Sequence, residues 1–504
     1  MPEKPLSLAV PRPRLWAFAA AAGLVATALL YDSAIGINLV LWTAVAVIGL
    51  TVSRPPRDAS HRSTLVPIAF ALLLATAAAV TAAGQAQAII LLLVACLLAL
   101  ATVLTAMAPR PERYGAILIL TAPFVALVAT VGSAYRAVAD SVGSIGIVRR
   151  RPALRGALIG IPVAIVFAAL FADADPLFAR GRSAIADLFD SVDVLPRLAF
   201  FAVMTLGVLG AYAFAASIEA RAASQARDAA TKERAVTTLG PERTIVLACA
   251  AAVSWLFVIL QIAYLAVDAP AMPGSGVTYA EYAHRGFGQL SVVATMAVLL
   301  VVEALGRGRG AHAPPRLRAA AFALVAAVSG VLVSAFHRVT LYENAYGFTT
   351  ARVHAQAYML VVLVVLVLCA IEIARGFDAA RLARATMVTA LVAIATVVFW
   401  NDHAWVARQD IARFAGTKRL DVSYLTRDLA PDAYPALLES LPALPADQRQ
   451  ALASALGPRA ACELRGADRW FEWNLARANA RTALLARGYS LTPPANAPCN
   501  RDVD

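Results

Sequence analysis

Residues 64–107 read TLVPIAFALLLATAAAVTAAGQAQAIILLLVACLLALATVLTAM, which is two long apolar runs joined by a short turn, without a single charged residue. Each run is close to the ~20 residues that an α-helix needs to cross the ~30 Å hydrocarbon core of a bilayer. A transmembrane β-barrel would instead show alternating apolar residues in segments of about ten. The stretch therefore predicts two consecutive membrane-spanning helices.

The same pattern recurs through the first four hundred residues. The chain has 504 residues, is 60% hydrophobic and has a mean hydropathy of +0.69. These values predict an all-α, polytopic membrane protein with about eleven spans. The predicted spans are 15–31, 35–52, 64–82, 86–107, 156–173, 198–217, 244–267, 288–305, 319–336, 353–374 and 385–401.

Lysine and arginine are distributed unequally between the loops on the two sides of these spans. With the N-terminus in the cytoplasm, the loops on that side hold 25 Lys and Arg residues and the opposite loops hold 6. Positive residues are enriched in cytoplasmic loops. We therefore expect a bacterial inner-membrane protein with a cytoplasmic N-terminus, and the formal net charge of +12 requires no nucleic-acid partner.

Segment 115–135, GAILILTAPFVALVATVGSAY, does not fit this alternation as a single crossing. A crossing here would reverse every later loop and divide Lys and Arg 14 against 17, which removes the bias. The predicted alternatives for 115–148 are a re-entrant hairpin, a double crossing or a helix in the interface, each of which returns the chain to the cytoplasm. A single crossing is the remaining alternative.

The composition becomes polar after Trp400, and residues 402–504 hold 13 Lys and Arg against 12 Asp and Glu. Helical spacing within this tail predicts a small soluble α-helical module outside the cytoplasm. The predicted domains are an N-terminal transmembrane region (1–149, four spans plus the re-entrant segment), a transmembrane core (150–401, seven spans) and the tail (402–504). Cys462 and Cys499 are the only tail cysteines; they predict one disulfide or are two unrelated thiols.

Three polar clusters fall on the extracytoplasmic face in this topology. Charged groups near the hydrocarbon are costly unless they pair or face water, so a shared pocket is one interpretation and interfacial belts and helix caps are the other. The candidate catalytic or ligating carboxylates are Asp173, Asp175, Glu281 and Glu343. The candidate ligand-binding residues are His284, Arg285, Arg338, Tyr342 and Arg352.

Arginine and tyrosine together suit an anionic ligand, because a guanidinium group binds phosphate or carboxylate oxygens in pairs. The sequence lacks HxxxH and HExxH spacing, a nucleophile elbow and a phosphate loop, so no metal site, cofactor or reaction is predicted. The leading hypothesis is a pocket for an anionic envelope component or lipid headgroup, with membrane lipid as the expected partner. A sensor or scaffold without chemistry, a lipid-linked-substrate transferase and a secondary transporter are the alternatives.

Several stretches together are similar to a known family. They are Phe171–Phe178 (FADADPLF), Arg285–Leu290 (RGFGQL), Leu341–Arg352 (LYENAYGFTTAR), Asn401–Arg408 (NDHAWVAR), Leu420–Leu425 (LDVSYL) and Asp432–Leu437 (DAYPAL). They resemble bacterial polytopic membrane proteins of the domains of unknown function 4153 and 4173, over roughly residues 150–440. The resemblance implies a membrane-embedded helical fold and carries no established activity.

Overall fold

The computed structural model describes residues 8–53, 61–108, 114–143, 194–218, 220–222, 241–266, 279–306, 313–464 and 469–492. Eleven helices lie before residue 401 in these ranges: α1 (Arg12–Leu30), α2 (Ile37–Val52), α3 (His61–Val80), α4 (Gly84–Met107), α5 (Ala116–Gly143), α6 (Val194–Ala215), α7 (Pro241–Ala266), α8 (Tyr279–Gly306), α9 (Pro315–Tyr346), α10 (Thr350–Arg375) and α11 (Ala379–Trp400). The tail adds α12 (Asp402–Thr417), α13 (Val422–Arg427), α14 (Tyr434–Ser440), α15 (Ala446–Glu463) and α16 (Leu475–Leu485), with short 3₁₀ turns at Pro431–Ala433, Leu441–Ala443 and Trp470–Glu472.

The predicted polytopic helical fold is confirmed. Nine helices in the described part of the chain are long and apolar enough to cross a membrane, and α2 and part of α8 are shorter apolar helices. Ten predicted spans coincide with helices, and the predicted span 156–173 lies outside the described residues. The helices form because long apolar runs satisfy their backbone hydrogen bonds internally, as a bilayer requires.

The re-entrant hairpin and the double crossing predicted for 115–148 are wrong for the described part of that segment. Residues Ala116–Gly143 form one helix, α5, which continues through Pro123. Its C-terminal end lies against the start of α1, where Arg12 forms a 2.9 Å ion pair with Asp140 and the Trp16 indole donates to Ser141. The end of α5 therefore lies at the same end of its unit as the start of α1.

The chain divides into two compact units, of which unit 1 comprises Met1–Pro111, Ile117–Ala229 and Gly466–Leu475. Helices α1 and α6 pack closely at Gly23, because glycine has no Cβ and a Cβ at this position would collide with the Thr205 side chain. Small residues at helix crossings allow such approach in membranes, where close packing replaces the hydrophobic effect as a driving force. The core of unit 1 is formed by α1, α2 and α6 around Leu15, Leu50 and Leu209.

A short piece of the tail, residues 469–475, is part of unit 1, and we call it the strap. The amide of Asn474, a fully buried residue, donates to the carbonyl oxygens of Ala78 (3.1 Å) and Thr81 (2.8 Å) at the end of α3. The Trp473 carbonyl accepts a 3.0 Å hydrogen bond from the Ile37 amide, the first N–H of α2. The strap thus satisfies the first N–H of α2 and donates to two carbonyl oxygens at the end of α3 that also accept from the Gln87 side chain.

The strap also binds the turn between α1 and α2 through charged groups. Glu472 Oε1 accepts from the Ala34 amide at 3.1 Å. The Arg469 guanidinium donates to the Asp32 carbonyl (2.5 Å) and to Glu472 (2.5 Å). Burial alone would raise the pKa of Glu472, but the hydrogen bonds from Arg469 and Ala34 and the positive charge of Arg469 outweigh it and lower that pKa. The strap is therefore a specifically bonded part of unit 1.

Unit 2 comprises Glu112–Ala116, Ala230–Arg465 and Ala476–Asp504. Its membrane core lies between α7, α8, α9 and α10 and contains Leu324, Val328 and Leu366. The tail helices have their own core, in which Tyr434 and Leu437 are fully buried. Burial raises the pKa of Tyr434, whose hydroxyl donates to Glu463. The predicted three-part domain division stays a prediction.

Candidate functional site

The turn between α9 and α10 is flanked by three of the predicted site residues, Tyr342 and Glu343 at the end of α9 and Arg352 at the start of α10. Gly347 ends α9 with φ +94°, a left-handed conformation that glycine adopts without strain. A Cβ at this position would lie 2.9 Å from the Asp410 carboxylate and 3.2 Å from the Arg413 guanidinium. The Thr349 hydroxyl then caps α10 by accepting from the Arg352 amide. The local sequence thus makes a tight turn with room for tail side chains.

Two tail helices bind this turn. Asp410 on α12 accepts a 2.8 Å hydrogen bond from the Phe348 amide, and the Tyr424 hydroxyl on α13 accepts one of 2.8 Å from the Thr350 amide. Burial raises the pKa of Asp410, partly offset by the Phe348 amide and by the positive charges of Arg413 and Arg352. These contacts are structural, because they satisfy backbone donors that the turn leaves exposed.

Two of the predicted ligand-binding residues, Tyr342 and Arg352, are brought together. The Arg352 guanidinium lies 4.2 Å from the centre of the Tyr342 ring and donates to the Gly347 carbonyl. The Tyr342 and Tyr346 rings lie 4.8 Å apart. One of the five N–H donors of the Arg352 guanidinium is thus used within the turn, and its positive charge lies over the face of the Tyr342 ring.

Glu343, a predicted candidate carboxylate, is only 2% exposed. Its Oε2 accepts a 2.6 Å hydrogen bond from the Gln356 side chain across the α9–α10 pair. Its Oε1 is buried and has no hydrogen-bond partner among the residues that the structure describes. Burying a carboxylate oxygen without a hydrogen-bond donor costs free energy. Such unpaired groups are few in folded proteins, and a role in binding is one explanation for them.

An apolar groove runs between α9 and α10, below the Glu343–Gln356 pair. Its volume is about 360 Å³. The lining residues from α9 recur at helical spacing on one face, and three residues of α10 complete the wall. They are Leu332, Val333, Phe336, His337, Thr340, Met359, Leu360 and Leu363. The groove is therefore apolar along its length, with His337 and Thr340 as its polar groups.

A second polar contact joins α10 to the start of α12. His354 Nε2 lies 2.7 Å from the Asp402 carboxylate, and the Asp402 side chain is nearly buried. Asp402 occupies the first turn of α12, where the positive end of the helix dipole favours a carboxylate. Sequence reasoning did not assign roles to Asp402, Asp410 and Tyr424, although Asp402 and Tyr424 lie in stretches that carry the family resemblance.

The other predicted site residues are not brought into this cluster by what the structure describes. Asp173 and Asp175 lie outside the described residues, as does Cys499, whereas Cys462 is disulfide-bonded. The backbone of Glu281, His284 and Arg285 belongs to α8, but their side chains lie outside the description. Arg338 lies on α9 and has interactions with its surroundings. The single shared pocket and the Cys462–Cys499 bond stay predictions.

Comparison with known proteins identifies one family. The model described as "Domain of unknown function (DUF4153)" matches residues 68–440, which is well over half of the chain. No curated protein and no solved structure matches the sequence. The match begins within α3 and ends with α14 in the tail, so it contains both the α9–α10 turn and the tail helices that bind it.

Proposed function

The chain belongs to the DUF4153 family, and we propose that this polytopic membrane protein binds an anionic lipid in the groove between α9 and α10. One acyl chain fills the apolar groove, and the headgroup lies at its polar end, beside the turn that carries Tyr342 and Arg352. The observation that carries the proposal is the apolar groove of about 360 Å³, whose lining residue Thr340 lies one helical turn before the buried, incompletely bonded Glu343.

The groove suits a lipid chain for two reasons. Its volume lies at the lower end of the ~300–1,000 Å³ typical of ligand sites, and its walls are predominantly apolar. Its opening also faces the outside of a pair of membrane-spanning helices, where Val333 and Leu360 are exposed. A chain can therefore enter sideways from the bilayer.

The headgroup is expected to be anionic because of the groups at the polar end. The Arg352 guanidinium retains donors beyond the one that binds Gly347, and a guanidinium matches phosphate oxygens geometrically. His337 supplies a further nitrogen within the groove wall. Glu343 would accept a hydrogen bond from a headgroup hydroxyl, which favours a glycerol-type phospholipid over a free phosphate.

We place this end of the groove outside the cytoplasm of a bacterial inner membrane. The 25-to-6 distribution of Lys and Arg supports the orientation. The contacts within unit 1 support it too, since a single crossing by α5 would separate Asp140 from Arg12, which instead form an ion pair. An α5 that lies in the interface retains the unequal distribution of Lys and Arg between the two sides.

Lipid retention in nanodiscs tests the proposal. The full chain is placed in phosphatidylcholine nanodiscs, and the binding of added phosphatidylglycerol and of free glycerol phosphate is measured by native mass spectrometry. We expect phosphatidylglycerol to bind stoichiometrically and glycerol phosphate not to bind, because the groove contributes the chain contacts.

Thr340→Phe fills the groove, whereas Leu341→Phe changes a neighbouring exposed side chain that does not line it. Thr340→Phe should weaken lipid binding about tenfold or more, because the phenyl ring would occupy space that the acyl chain needs. Such overpacking costs about 1–3 kcal/mol, and about 1.4 kcal/mol is a factor of ten in affinity. Equal binding by both variants would show that the groove is not the site. The absence of any retained lipid would favour a scaffold without ligand.

A further inference from the structure

The strap presents two exposed tryptophans on one side. Trp470 is 72% exposed and Trp473 is 46% exposed, whereas Glu472 and Asn474 between and beside them are buried. Trp470 begins a 3₁₀ turn, which has three residues per turn, so residues i and i+3 lie on the same face. The two indoles therefore lie on one exposed face of the strap.

The hydrogen bonds of the strap fix the depth of this surface. Asn474 binds carbonyl oxygens at the last turn of α3, and Trp473 binds the first amide of α2. Both positions are ends of apolar helices, and the ends of membrane-spanning helices lie at the boundary between hydrocarbon and headgroups. The strap is thus held at the level of the membrane interface.

Other side chains at the same end of unit 1 have the composition of an interface. The Tyr31 ring, directly after α1, lies 5.6 Å from the Phe200 ring and 5.2 Å from the Arg197 guanidinium, both near the start of α6. Aromatic rings and arginines are enriched at this depth, where an apolar body and a polar tip are both accommodated. The tryptophan pair extends this aromatic zone.

We infer that Trp470 and Trp473 form an interfacial anchor that inserts into the headgroup region of the leaflet next to the strap. The indole rings contact the upper acyl chains and glycerol groups, and the indole N–H groups donate to ester or phosphate oxygens. The strap therefore has two bound surfaces, one bonded to the helix ends of unit 1 and the other in contact with lipid. This site is separate from the groove between α9 and α10.

Depth-dependent quenching tests the anchor in the full chain. Cys96, Cys249 and Cys369 are replaced by alanine, and an environment-sensitive fluorophore is attached at Trp470→Cys. The matched control carries the same fluorophore at Gln448→Cys, a partly exposed position on α15, which is not part of the strap. Reconstituted protein is then exposed to nitroxide-labelled lipids and, separately, to aqueous iodide.

We expect the label at position 470 to be quenched several-fold more by shallow nitroxide lipids than the label at position 448, and to be better protected from iodide. The unlabelled chain offers a second measurement, since Trp470→Phe/Trp473→Phe should remove part of the tryptophan quenching by brominated lipids. The inference is wrong if the two labels respond alike and the double variant retains the full quenching of the natural chain.

Discussion

Replacing Gly36 by alanine should release the strap from unit 1. An alanine Cβ at this position would lie 2.6 Å from the carbonyl carbon of Glu472 and under 3.0 Å from the carbonyl oxygens of Glu472 and Trp473. Ordinary contacts begin at 3.4 Å, so the strap has to move by at least the 0.8 Å difference. The obstructing atoms are backbone atoms, which cannot rotate away as a flexible side chain would.

The size of the effect follows from the hydrogen bonds that this movement would break. Glu472, Trp473 and Asn474 form four of the hydrogen bonds described above, at 2.8–3.1 Å. Each contributes about 1 kcal/mol, and their loss costs about 4 kcal/mol. About 1.4 kcal/mol is a factor of ten, so the released fraction of the strap should rise roughly a thousandfold.

Trypsin cleavage after Arg469 measures the released fraction, because cleavage requires local opening of the strap. Cleavage rates of the full chain in nanodiscs are followed by mass spectrometry. Gly84→Ala is the matched control. Gly84 begins α4 at the turn that follows α3, and a Cβ there meets no atom within 4 Å. Gly36→Ala should be cleaved far faster than either the natural chain or the control. Equal rates in all three chains would refute the docking of the strap.

Four other predictions concern separate parts of the chain. Because the pKa of Glu472 is lowered in the folded chain, its carboxylate stabilises the docked strap fully above pH 4.5, and this stabilisation is lost as the pH falls through the lower folded-state pKa. Glu472→Gln should therefore weaken docking at neutral pH. The same variant should remove the acid dependence of amide exchange in the strap. Arg352→Gln should reduce phosphatidylglycerol binding without lowering the amount of protein in the membrane, and unchanged binding would exclude this residue from the headgroup site. A thiol reagent that cannot cross membranes should label Gln448→Cys from outside intact cells, whereas labelling only after lysis would reverse the proposed orientation. Alkylation of the unreduced, unfolded chain should leave Cys462 and Cys499 unmodified, because bonded cysteines have no free thiol, whereas modification of both would exclude the bond. A disulfide that closes a loop of ~36 residues should stabilise the tail by about 3–4 kcal/mol.

The helices of the membrane region could be predicted from hydropathy alone, because each apolar run must form its own backbone hydrogen bonds in lipid. The exception is the segment around α5, where the loop charges favoured a hairpin, a double crossing or an interfacial helix over a single crossing, although α5 is itself long and apolar enough to cross a membrane. The structure has a continuous helix through Pro123. The charges in the loops indicate on which side of the membrane each end of a segment lies. They do not indicate which conformation the segment adopts between its two ends.

The candidate site was predictable only in part. Tyr342, Glu343 and Arg352 are recognisable as ionisable or aromatic residues at the end of a span. The roles of Asp410 and Asn474 depend on contacts between residues far apart in sequence, with Asn474 binding a carbonyl 396 positions earlier. Neither periodicity nor composition indicates such a partner, and both residues look like ordinary polar residues of a soluble tail.

The central claim is that lipid occupies a defined groove and not merely the apolar surface of the protein. Photocrosslinking with a phosphatidylglycerol analogue that carries a reactive group on its acyl chain tests this most directly. We predict that the crosslinked peptides come mainly from α9 and α10, at residues such as Phe336 and Leu363 that line the groove. Crosslinking in proportion to exposure, with α7 and its 70% exposed Val253 labelled more than α9 and α10, would contradict the claim.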